Sequence, residues 1–514
     1  MQKKTIIIIA SLVVAIAVAV VLAVTLSGGK TTPSSGKSND NVVTPSPTPA
    51  QKNVSDSDLL SPTPSNGTST NSSTPAPTPA SDPEKDPAII TMLAVGDWGS
   101  TTGKISSASA DGAGPPGSCC KLYTNGAIDT TKPRYNVDFF SQLYVADIMA
   151  KSAGKLDPRP SRIIGHGDNI YWDGAGPDDI QYRMEETFEK VYNQPELAGI
   201  KWVNVAGNHD IGGSEYICGD KDNNFRECKD TAEMLKYLNL KFTLQANYQS
   251  PNNNRWLMKD HYYVESVEKD GVTVEIYNLD TNHAESHGAS QVCCQCYGYS
   301  KKLSTGNSDK QCTNVLAGDK LCAGGDVGMY KACMDLIEKW GQDSMDQAAR
   351  DMAKSNATFK IINTHYSPHF HMAEDRMMRW YNLTKSFNVH AWFNGHTHGF
   401  NHDVAKWGTH FFENGGGGGI ITETSTQGNN KFLNPLWVAG GNPYGFMELS
   451  FSKDWLKVQF ASFDKSWSFG GFNLAATNRG GVAKGHCWYI PRITGTLGVK
   501  CSDSNDAPIG APIV

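Results

Sequence analysis

Side chains able to bind metal ions recur in five short motifs, and each motif directly follows an apolar run. The motifs read GDWG, GDNIY, GNHD, NTHYS and GHTH. The metal-capable residues within them are Asp97, Asp168, Tyr171, Asn208, His209, His365, His396 and His398. Oxygen and imidazole ligands in combination suit iron, zinc or manganese better than calcium or a metal that prefers thiolates. Because these groups outnumber the ligands of one ion, they predict two ions about 3.5–4 Å apart, an arrangement suited to displacement at phosphorus.

Each motif alone also has an ordinary structural interpretation. Asp97 could be a turn residue, Asn208 and His209 could cap a helix or fill a polar core, and Tyr171 could simply pack. The GHTH motif is more specific, because two histidines at alternating positions straddle the end of a predicted strand. The order of the five motifs along the chain favours a metal site over five unrelated turns.

The apolar runs before the motifs alternate with helical patterns, which is typical of βαβ units. Strands are predicted at AIITMLAV, RII, WVNVA, HYYVESV, VTVEIYNLD, FKIIN, VHAWFN, GFMELSF and WLKVQFA, and helices at about 136–152 and in DDIQYRMEETFEKVY. In open α/β sheets, the loops beyond the carboxyl ends of strands meet at one edge and bind ligands. The five motifs are therefore predicted to converge on one site.

The N-terminal part of the chain reads as a membrane or export segment followed by a stalk. Residues 1–26 contain an apolar run that begins at Ile6; at about 1.5 Å per residue in a helix it can cross a hydrocarbon core of about 30 Å. Two lysines precede the run, which favours an exported remainder. The segment is predicted to be a transmembrane signal-anchor, with a cleaved signal peptide as the alternative. Residues 27–87, rich in Ser, Thr and Pro, predict a disordered stalk.

The rest of the chain predicts one exported domain, membrane-anchored with an extracellular or lumenal position or else secreted. Residues 88–470 form this domain, residues 284–333 are a cysteine-rich insertion in it, and residues 471–514 are a C-terminal tail. The twelve cysteines point to disulfides, with Cys218–Cys228 and Cys487–Cys501 as local pairs. The sequons at Asn53, Asn66, Asn71, Asn356 and Asn382 fit a secreted glycoprotein. A net charge of −6 argues against nucleic acid as a partner.

In order and spacing, the five motifs resemble those of the purple acid phosphatases of the small, tartrate-resistant type, within the calcineurin-like metallophosphoesterases. The likeness extends through DDIQYRMEETFEKVY and YNLDT and covers roughly residues 89–461. It implies an α/β fold in which two mixed β-sheets, flanked by helices, form an αββα sandwich. One conservative departure is Ile362, which stands at the first position of the family's usual VxxH motif. The fibronectin-like domain of the large plant enzymes is not apparent.

The resemblance also implies how the metal-capable side chains divide between two ions. Ferric iron would be held by Asp97, Asp168, Tyr171 and His398. A second ion, Fe(II), Zn or Mn, would be held by Asp168, Asn208, His365 and His396. Asp168 would bridge the two ions and take part in catalysis with His209, and Asn208 and His209 would contact the substrate. A further substrate-binding histidine is His369, although the spacing leaves His371 equally open.

The implied activity is that of an acid phosphatase acting on phosphate monoesters, whether small molecules or phosphoproteins, through a metal-bound hydroxide. A trivalent ion should lower the pKa of bound water further than Zn²⁺, which already brings it to about 7. Tyr171 would stabilise that ion as a phenolate, so the tyrosine is typical of the acid enzymes. One alternative is a phosphodiesterase or pyrophosphatase on the same scaffold, and another is a non-catalytic metal-binding module at the cell surface.

Two segments near the motifs leave alternatives open. The insertion 284–333 either overhangs the site, as the resemblance implies, or is a disulfide-stabilised surface decoration. The run Gly415 to Gly419 either lets the backbone approach the site closely or binds phosphate directly. It lacks the lysine and the following helix of a P-loop, which favours the first interpretation.

Overall fold

The computed structural model describes residues 81–99, 122–123, 127–128, 140–213, 216–221, 224–296, 315–419, 431–470 and 476–510. The chain divides into two units, residues 1–69 and 70–514, and the described residues belong to the second. The predicted membrane segment 1–26 lies outside the described residues, as does the stalk up to residue 80. Within the described ranges, no helix combines the length and apolar character needed to cross a bilayer.

The strands are numbered in chain order. They are β1 (Ile90–Val95), β2 (Leu122–Tyr123), β3 (Ala127–Ile128), β4 (Arg162–Gly165), β5 (Lys201–Asn204), β6 (Trp256–Leu257), β7 (Tyr262–Lys269), β8 (Val272–Leu279), β9 (Phe359–Asn363), β10 (Ala391–Asn394), β11 (Phe400–Ala405), β12 (His410–Asn414), β13 (Leu433–Val438), β14 (Gly445–Phe451), β15 (Trp455–Phe463), β16 (Ser468–Phe469), β17 (Ala476–Asn478), β18 (Val482–Pro491) and β19 (Val499–Lys500).

Eight α-helices lie within the described ranges, and most of them cover the outer faces of the sheets. They are α1 (Ser141–Ala153), α2 (Ile180–Met184), α3 (Asn208–Ile211), α4 (Thr231–Ala246), α5 (Ala289–Cys294), α6 (Val327–Met352), α7 (Pro368–His371) and α8 (Glu374–Ser386). A π-helical turn, Glu185–Glu189, continues α2, and a 3-10 turn, Ala323–Gly325, precedes α6. The helix predicted in DDIQYRMEETFEKVY is therefore present, but it is irregular: α2 passes directly into the π-helical turn.

Two large mixed sheets form the centre of the molecule. The first has the strand order β19-β18-β15-β14-β1-β4-β5-β6, and the second has the order β13-β11-β12-β10-β9-β8-β7. In the first sheet β1, β4 and β5 are adjacent and parallel, and in the second β9 and β10 are adjacent and parallel. The predicted fold class, two mixed sheets flanked by helices, is confirmed.

Three apolar layers explain why the central strands read as unbroken apolar runs. Met92 and Ala94 of β1 point between the two sheets, where they pack with Ile361 and Phe393 of the second sheet. The alternate residue Leu93 points to the helix side of the first sheet. A third cluster packs the second sheet against α6 and α8. Because both faces of β1 are buried, its residues are apolar except Thr91, whose hydroxyl donates to the carbonyl of Pro158 at 2.6 Å.

Polar side chains between the sheets lock the strand ends that carry the motifs. Asn363, at the end of β9, donates through Nδ2 to the carbonyl of Gly165 at 3.0 Å and to Asn278 Oδ1 at 2.8 Å. Its Oδ1 lies 2.7 Å from Nδ1 of His166, which follows β4. Nδ2 of Asn414 lies 3.1 Å from the other ring nitrogen of His166. These hydrogen bonds fix the carboxyl ends of β4, β9 and β12 relative to one another.

The chain termini extend the first sheet beyond the predicted domain limits. Residues 471–514, predicted as a tail, contain β18, which pairs with β15 along most of its length. Ser81, predicted to lie in the stalk, accepts a hydrogen bond at its carbonyl from Trp455 Nε1 at 2.8 Å. Glu84 accepts one from the backbone N–H of Ser502 at 2.8 Å. The folded body therefore includes residues on both sides of 88–470.

Both predicted local disulfides are present, and two further bridges hold the insertion. The bridges are Cys218–Cys228, Cys487–Cys501, Cys293–Cys333 and Cys294–Cys322. Cys333 belongs to α6, so one bridge ties α5 directly to that helix. The buried residues Ala289 and Val292 of α5 add apolar packing. The start of the insertion is thus part of the folded body, while residues 297–314 lie outside the described ranges.

The buried histidine His283 predicts a pH-dependent stability that does not involve the site. Burial, and then the charge of Arg376, lowers the pKa of His283 to about 3. The unfolded chain takes up this proton near pH 6.5, whereas the folded chain does not, so stability must fall as the pH falls below about 6.5. Between pH 7 and 5 this histidine should cost about 2 kcal/mol. We expect His283→Gln to remove about that much from the pH 7-to-5 loss in unfolding free energy, measured by urea denaturation.

Trp380→Phe is the matched control for this prediction. Trp380 packs against His283, with ring centroids 6.1 Å apart, but does not titrate. The control should lower stability at both pH values and leave the difference between them unchanged. A wild-type difference that persists in His283→Gln would show that this histidine is not the source.

Candidate metal centre

The five motifs lie at the carboxyl ends of five neighbouring strands. Asp97 follows β1, Asp168 follows β4 and Asn208 follows β5, all in the first sheet. His365 follows β9, and the GHTH histidines follow β10, in the second sheet. Because the two sheets pack face to face, their carboxyl ends meet and both sets of side chains converge.

One group of donor atoms gathers around the carboxylate of Asp97. Asp97, Asp168 and His398 each offer one donor atom, and these atoms all lie within 4.8 Å of one another. His398 Nε2 lies 3.5 Å from Asp97 Oδ1. The hydroxyl of Tyr171 lies 3.3 Å from the same oxygen. The tyrosine is therefore within the cluster and not merely packed behind it.

A second group gathers around the side-chain oxygen of Asn208. This Oδ1 lies 3.1 Å from His365 Nε2 and 3.2 Å from His396 Nδ1, and the two ring nitrogens are 3.3 Å apart. Asp168 also reaches this group, because its Oδ1 lies 3.5 Å from His365 Nε2. Asp168 is thus the residue common to both groups.

The chemistry of these atoms fits bound cations. Nδ1 of His365 lies 2.8 Å from the carbonyl of His166, which only accepts hydrogen bonds, so Nδ1 carries the ring proton. Its Nε2 therefore carries a lone pair and no proton. This lone pair faces Asn208 Oδ1, which is also an acceptor, so the two atoms cannot hydrogen-bond to each other. Lone pairs that converge in this way are ordinary for metal ligands, whose second ring nitrogen commonly donates to a carbonyl. Asp168 Oδ2, although buried, accepts no hydrogen bond within the described ranges.

The electrostatic environment of Asp97, Asp168 and Tyr171 also favours a bound cation. Burial, and then the neighbouring Asp168, raises the pKa of Asp97 well above its usual value. Burial acts to raise the pKa of Asp168 as well, but the nearby histidines, His365 first, hold it below its usual value. Burial, Asp168 and Asp97 raise the pKa of Tyr171 well above 10. A bound cation would reverse these effects on Asp97 and Tyr171, because it favours the ionised forms.

Four of the cluster residues adopt a strained backbone conformation. Asp97, Asp168, His396 and His398 have φ values of 54°, 53°, 76° and 52°, in the left-handed region that side chains disfavour. Each such residue costs of the order of 1–2 kcal/mol. The turns persist because surrounding hydrogen bonds determine them: the N–H of His396, for example, lies 3.0 and 2.9 Å from the two carboxylate oxygens of Asp97. Strain of this kind clusters at functional sites.

Two glycines are required by the close approach of the carboxylates. A Cβ at Gly395 would lie 2.2 Å from Asp97 Oδ2, and a Cβ at Gly207 would lie 2.2 Å from Asp168 Oδ1. In the glycine run, the N–H of Gly419 donates to the carbonyl of Asp97 at 2.8 Å. These contacts support the interpretation of that run as a segment whose backbone approaches the site closely.

Three consecutive carbonyls, those of residues 171–173, accept hydrogen bonds from side chains. The donors are, in order, Arg183, His209 and Lys241. The loop that carries Tyr171 is thereby fixed along its length. The ring of His209 packs 4.5 Å from that of Tyr171, and its Nδ1 lies 2.5 Å from the carbonyl of Trp172. Its Nε2 lies 4.0 Å from Asp168 Oδ2, so this edge of the ring faces the cluster.

The two histidines after the NTHYS motif occupy different places. His369 turns away from the cluster: its Nε2 lies 3.5 Å from Asp403 Oδ2, and its ring packs 5.2 Å from that of Phe411. His371 turns towards the cluster, with its ring 4.7 Å from that of His396. The structure therefore brings His371, and not His369, to the candidate site. The short helix α7 sets this choice, and the spacing alone did not reveal it.

Asp210 is a positioning residue that the sequence interpretation missed. Its carboxylate accepts hydrogen bonds from the backbone N–H groups of Asn169, Ile170 and Gly207 at 2.8–3.1 Å. It thus ties the turn that carries Asp168 to the turn that carries Asn208. The signal was present, because Asp210 is the last residue of the GNHD motif.

We predict that Asp210→Asn weakens metal binding without removing a ligand. An amide nitrogen cannot accept the backbone N–H groups, so the turn around Asp168 should shift. Loss of such supporting hydrogen bonds typically weakens metal affinity by about 10–100-fold. Titration of the metal-free protein with Zn²⁺ against a competing chelator measures the change. Asp220→Asn is the control, since Asp220 accepts a hydrogen bond from Tyr237 at 2.6 Å outside the cluster. A folded Asp210→Asn variant of wild-type affinity would contradict the assignment.

The comparisons with known proteins agree with the motifs over part of the chain. No protein-family model matches the chain. Over 122 residues it is 31% identical to tartrate-resistant acid phosphatase type 5 of Sus scrofa, a match that covers 24% of this chain and 26% of that protein. The chain therefore spans about a quarter of the length of the curated relative that it matches.

Several solved structures are similar at low identity. One is GAP50, the anchor in the inner membrane complex of Plasmodium (TM-score 0.42, 14% identity, 73% of this chain and 85% of that chain). Another is the purple acid phosphatase PPD1 from seeds of yellow lupin, Lupinus luteus (TM-score 0.36, 13% identity, 74% and 52%). A third is a dimetal phosphatase from Danio rerio (TM-score 0.38, 11% identity, 79% and 100%). TM-scores this low carry no argument about function. The 122-residue match to the curated relative confirms the resemblance to the purple acid phosphatases of the tartrate-resistant type.

Proposed function

We propose that this protein is an acid phosphatase that hydrolyses phosphate monoesters at a dinuclear Fe(III)–M(II) centre, where M is iron, zinc or manganese. The observation that carries the proposal is the hydroxyl of Tyr171, 3.3 Å from Asp97 Oδ1 inside the cluster. A phenolate is a hard anionic ligand that favours ferric iron. A phosphodiesterase or pyrophosphatase on this scaffold does not need it.

In this proposal the two donor groups hold different ions. Fe(III) is held by Asp97, Asp168, Tyr171 and His398. The divalent ion is held by Asp168, Asn208, His365 and His396. When bound, the ions supply an activated hydroxide nucleophile and positive charge for the phosphate. Two carboxylates and one phenolate do not cancel the charge of a trivalent and a divalent ion, so the site retains the positive charge that a phosphate dianion requires.

His209 is proposed to transfer a proton to the leaving group. The carbonyl of Trp172 fixes its Nδ1 as a donor, and its Nε2 faces the cluster, 4.0 Å from Asp168 Oδ2. A proton on Nε2 can then pass to the alkoxide as the ester bond breaks. The adjacent ring of Tyr171 keeps the imidazole in this orientation. His209 thereby combines substrate binding with acid catalysis.

His371, rather than His369, is proposed as the further substrate-binding histidine. Its ring packs against that of His396, and its side chain is buried. Its Nδ1 has no hydrogen-bond partner within the described ranges. A phosphate oxygen would supply one.

We also propose that the catalytic domain is exported, whether anchored through residues 1–26 or released from that segment. The four bridges described above fit an oxidising compartment. Asn356 and Asn382, the sequon residues within the described ranges, are both exposed. Their exposure is compatible with glycosylation.

Rates with a chromogenic phosphate monoester and the matching diester test the activity. We expect the monoester to be hydrolysed faster, with an optimum below pH 7, because a trivalent ion brings the pKa of bound water below the value of about 7 reached with Zn²⁺. Faster hydrolysis of the diester would favour a phosphodiesterase. Metal binding without hydrolysis of either ester would favour a binding module.

The visible absorption of the iron-loaded protein tests the role of Tyr171. We expect Tyr171→Phe to lose the charge-transfer band of the phenolate while it still binds some metal, because the other ligands remain. Tyr192→Phe is the matched control: Tyr192 is equally buried but packs against Trp98 and Trp202. A band that survives in Tyr171→Phe would remove the tyrosine from the metal centre.

A further inference from the structure

His287 lies at the mouth of the metal centre although it belongs to none of the five motifs. It stands near the start of the insertion, just before α5, and its side chain is exposed. The centroid of its ring lies 6.1 Å from that of His396. A phosphate group bound on the His396 side of the centre is therefore within reach of this imidazole.

The backbone of His287 is held in place by a residue of the site itself. Its φ of 56° is unusual for a residue other than glycine. Its carbonyl accepts a hydrogen bond from the hydroxyl of Tyr366 at 2.8 Å. The ring of Tyr366 packs 4.3 Å from that of His396. The same tyrosine thus positions both His287 and a proposed metal ligand.

The two residues before His287 are also fastened to the body. The carboxylate of Glu285 accepts hydrogen bonds from the N–H of Ala373 at 2.9 Å and from Arg376 Nε at 2.7 Å. The N–H of Ser286 donates to the carbonyl of His371 at 2.9 Å. On the other side of His287, the bridge between Cys293 and α6 holds the insertion. Because this support is preorganised, a contact made by His287 costs little ordering entropy.

The neighbour Gln291 determines which ring nitrogen of His287 can donate. The amide nitrogen of Gln291 lies 3.2 Å from Nδ1 of His287. An amide nitrogen is only a donor, so Nδ1 accepts and the ring proton resides on Nε2. His287 therefore presents an N–H donor even when its ring is neutral, and phosphate oxygens are strong acceptors.

We propose that His287 is a substrate-binding residue whose Nε2–H donates to a phosphate oxygen of the bound monoester. This inference rests on the proposed phosphatase function and adds a contact supplied by the insertion 284–333. In this proposal the hydrogen bond is equally strong in the bound substrate and in the transition state. It should therefore set substrate affinity and leave the rate of the chemical step largely unchanged.

His287→Leu and His287→Gln in the metal-loaded protein test this assignment. Leu removes the donor, whereas Gln places an amide N–H close to the position of Nε2. We expect the Leu variant to raise KM for a phosphate monoester, and the inhibition constant of inorganic phosphate, each by about tenfold, as for loss of one hydrogen bond to a charged group. The Gln variant should recover most of both losses. Metal content and kcat should stay close to wild type.

Ser286→Ala is the matched control, because it alters the adjacent exposed side chain and retains the backbone hydrogen bond to His371. An unchanged phosphate inhibition constant in His287→Leu overturns the proposal, and so does a Gln variant as impaired as the Leu variant. If the wild type hydrolyses no monoester, the proposed function fails separately, and calorimetric binding of inorganic phosphate replaces KM. Phosphate binding that does not depend on His287, or no binding, then overturns this inference too.

Discussion

The carboxylate of Asp168 is the point on which the rest of the site depends. It is fully buried, it is common to both donor groups, and its Oδ2 accepts no hydrogen bond within the described ranges. A second buried carboxylate, Asp97, lies in the same cluster. Two such groups repel each other in a low-dielectric interior unless a cation neutralises them. The left-handed turns around them are therefore best understood as strain that metal binding offsets, since a ligand that binds only the folded state stabilises it.

Hydrogen bonds of the surrounding fold hold this cluster of polar side chains in position without a bound metal. The hydrogen bonds of Asn363 and His166 join the two sheets at their carboxyl ends, and Asp210 joins two ligand turns within the first sheet. The hydrogen bonds to the carbonyls of residues 171–173 fix the loop that carries Tyr171. The turns that carry Asp168, Asn208 and Tyr171 are thus held by hydrogen bonds with side chains elsewhere in the fold. The insertion adds a further fixed element beside His396.

The sequence was sufficient where apolar runs and motifs coincide, as at β1, β4, β5, β9 and β10. It was insufficient for β11, whose residues FNHDVA do not read as a buried strand. His402 on this strand can be buried because both of its ring nitrogens have hydrogen-bond partners. Nδ1 lies 2.9 Å from His486 Nε2, and Nε2 lies 2.8 Å from His410 Nδ1. His486 lies on β18 and His410 on β12, so the ring nitrogens of His402 find these hydrogen-bond partners only when the sheets have formed. No local pattern reports such long-range pairing.

The candidate site shows the same limit at finer scale. The candidate ligands could be predicted from residue type and order, because the five motifs follow strands whose carboxyl ends converge. The choice between His369 and His371 could not, because it depends on how α7 turns after Pro368. His287 was missed for a related reason, since long-range contacts, such as the hydrogen bond from Tyr366 and the bridge from Cys293 to α6, bring it to His396.

In the proposed site Asp168 joins both donor groups in one dinuclear centre, and metal analysis of the purified protein tests this role most directly. Wild type and Asp168→Ala should be compared after equilibration with iron and zinc, with folding checked by circular dichroism. We expect two ions per chain in the wild type, at least one of them iron, and loss of both from the folded variant. One ion per chain in the wild type, or a folded variant that retains both, would contradict it.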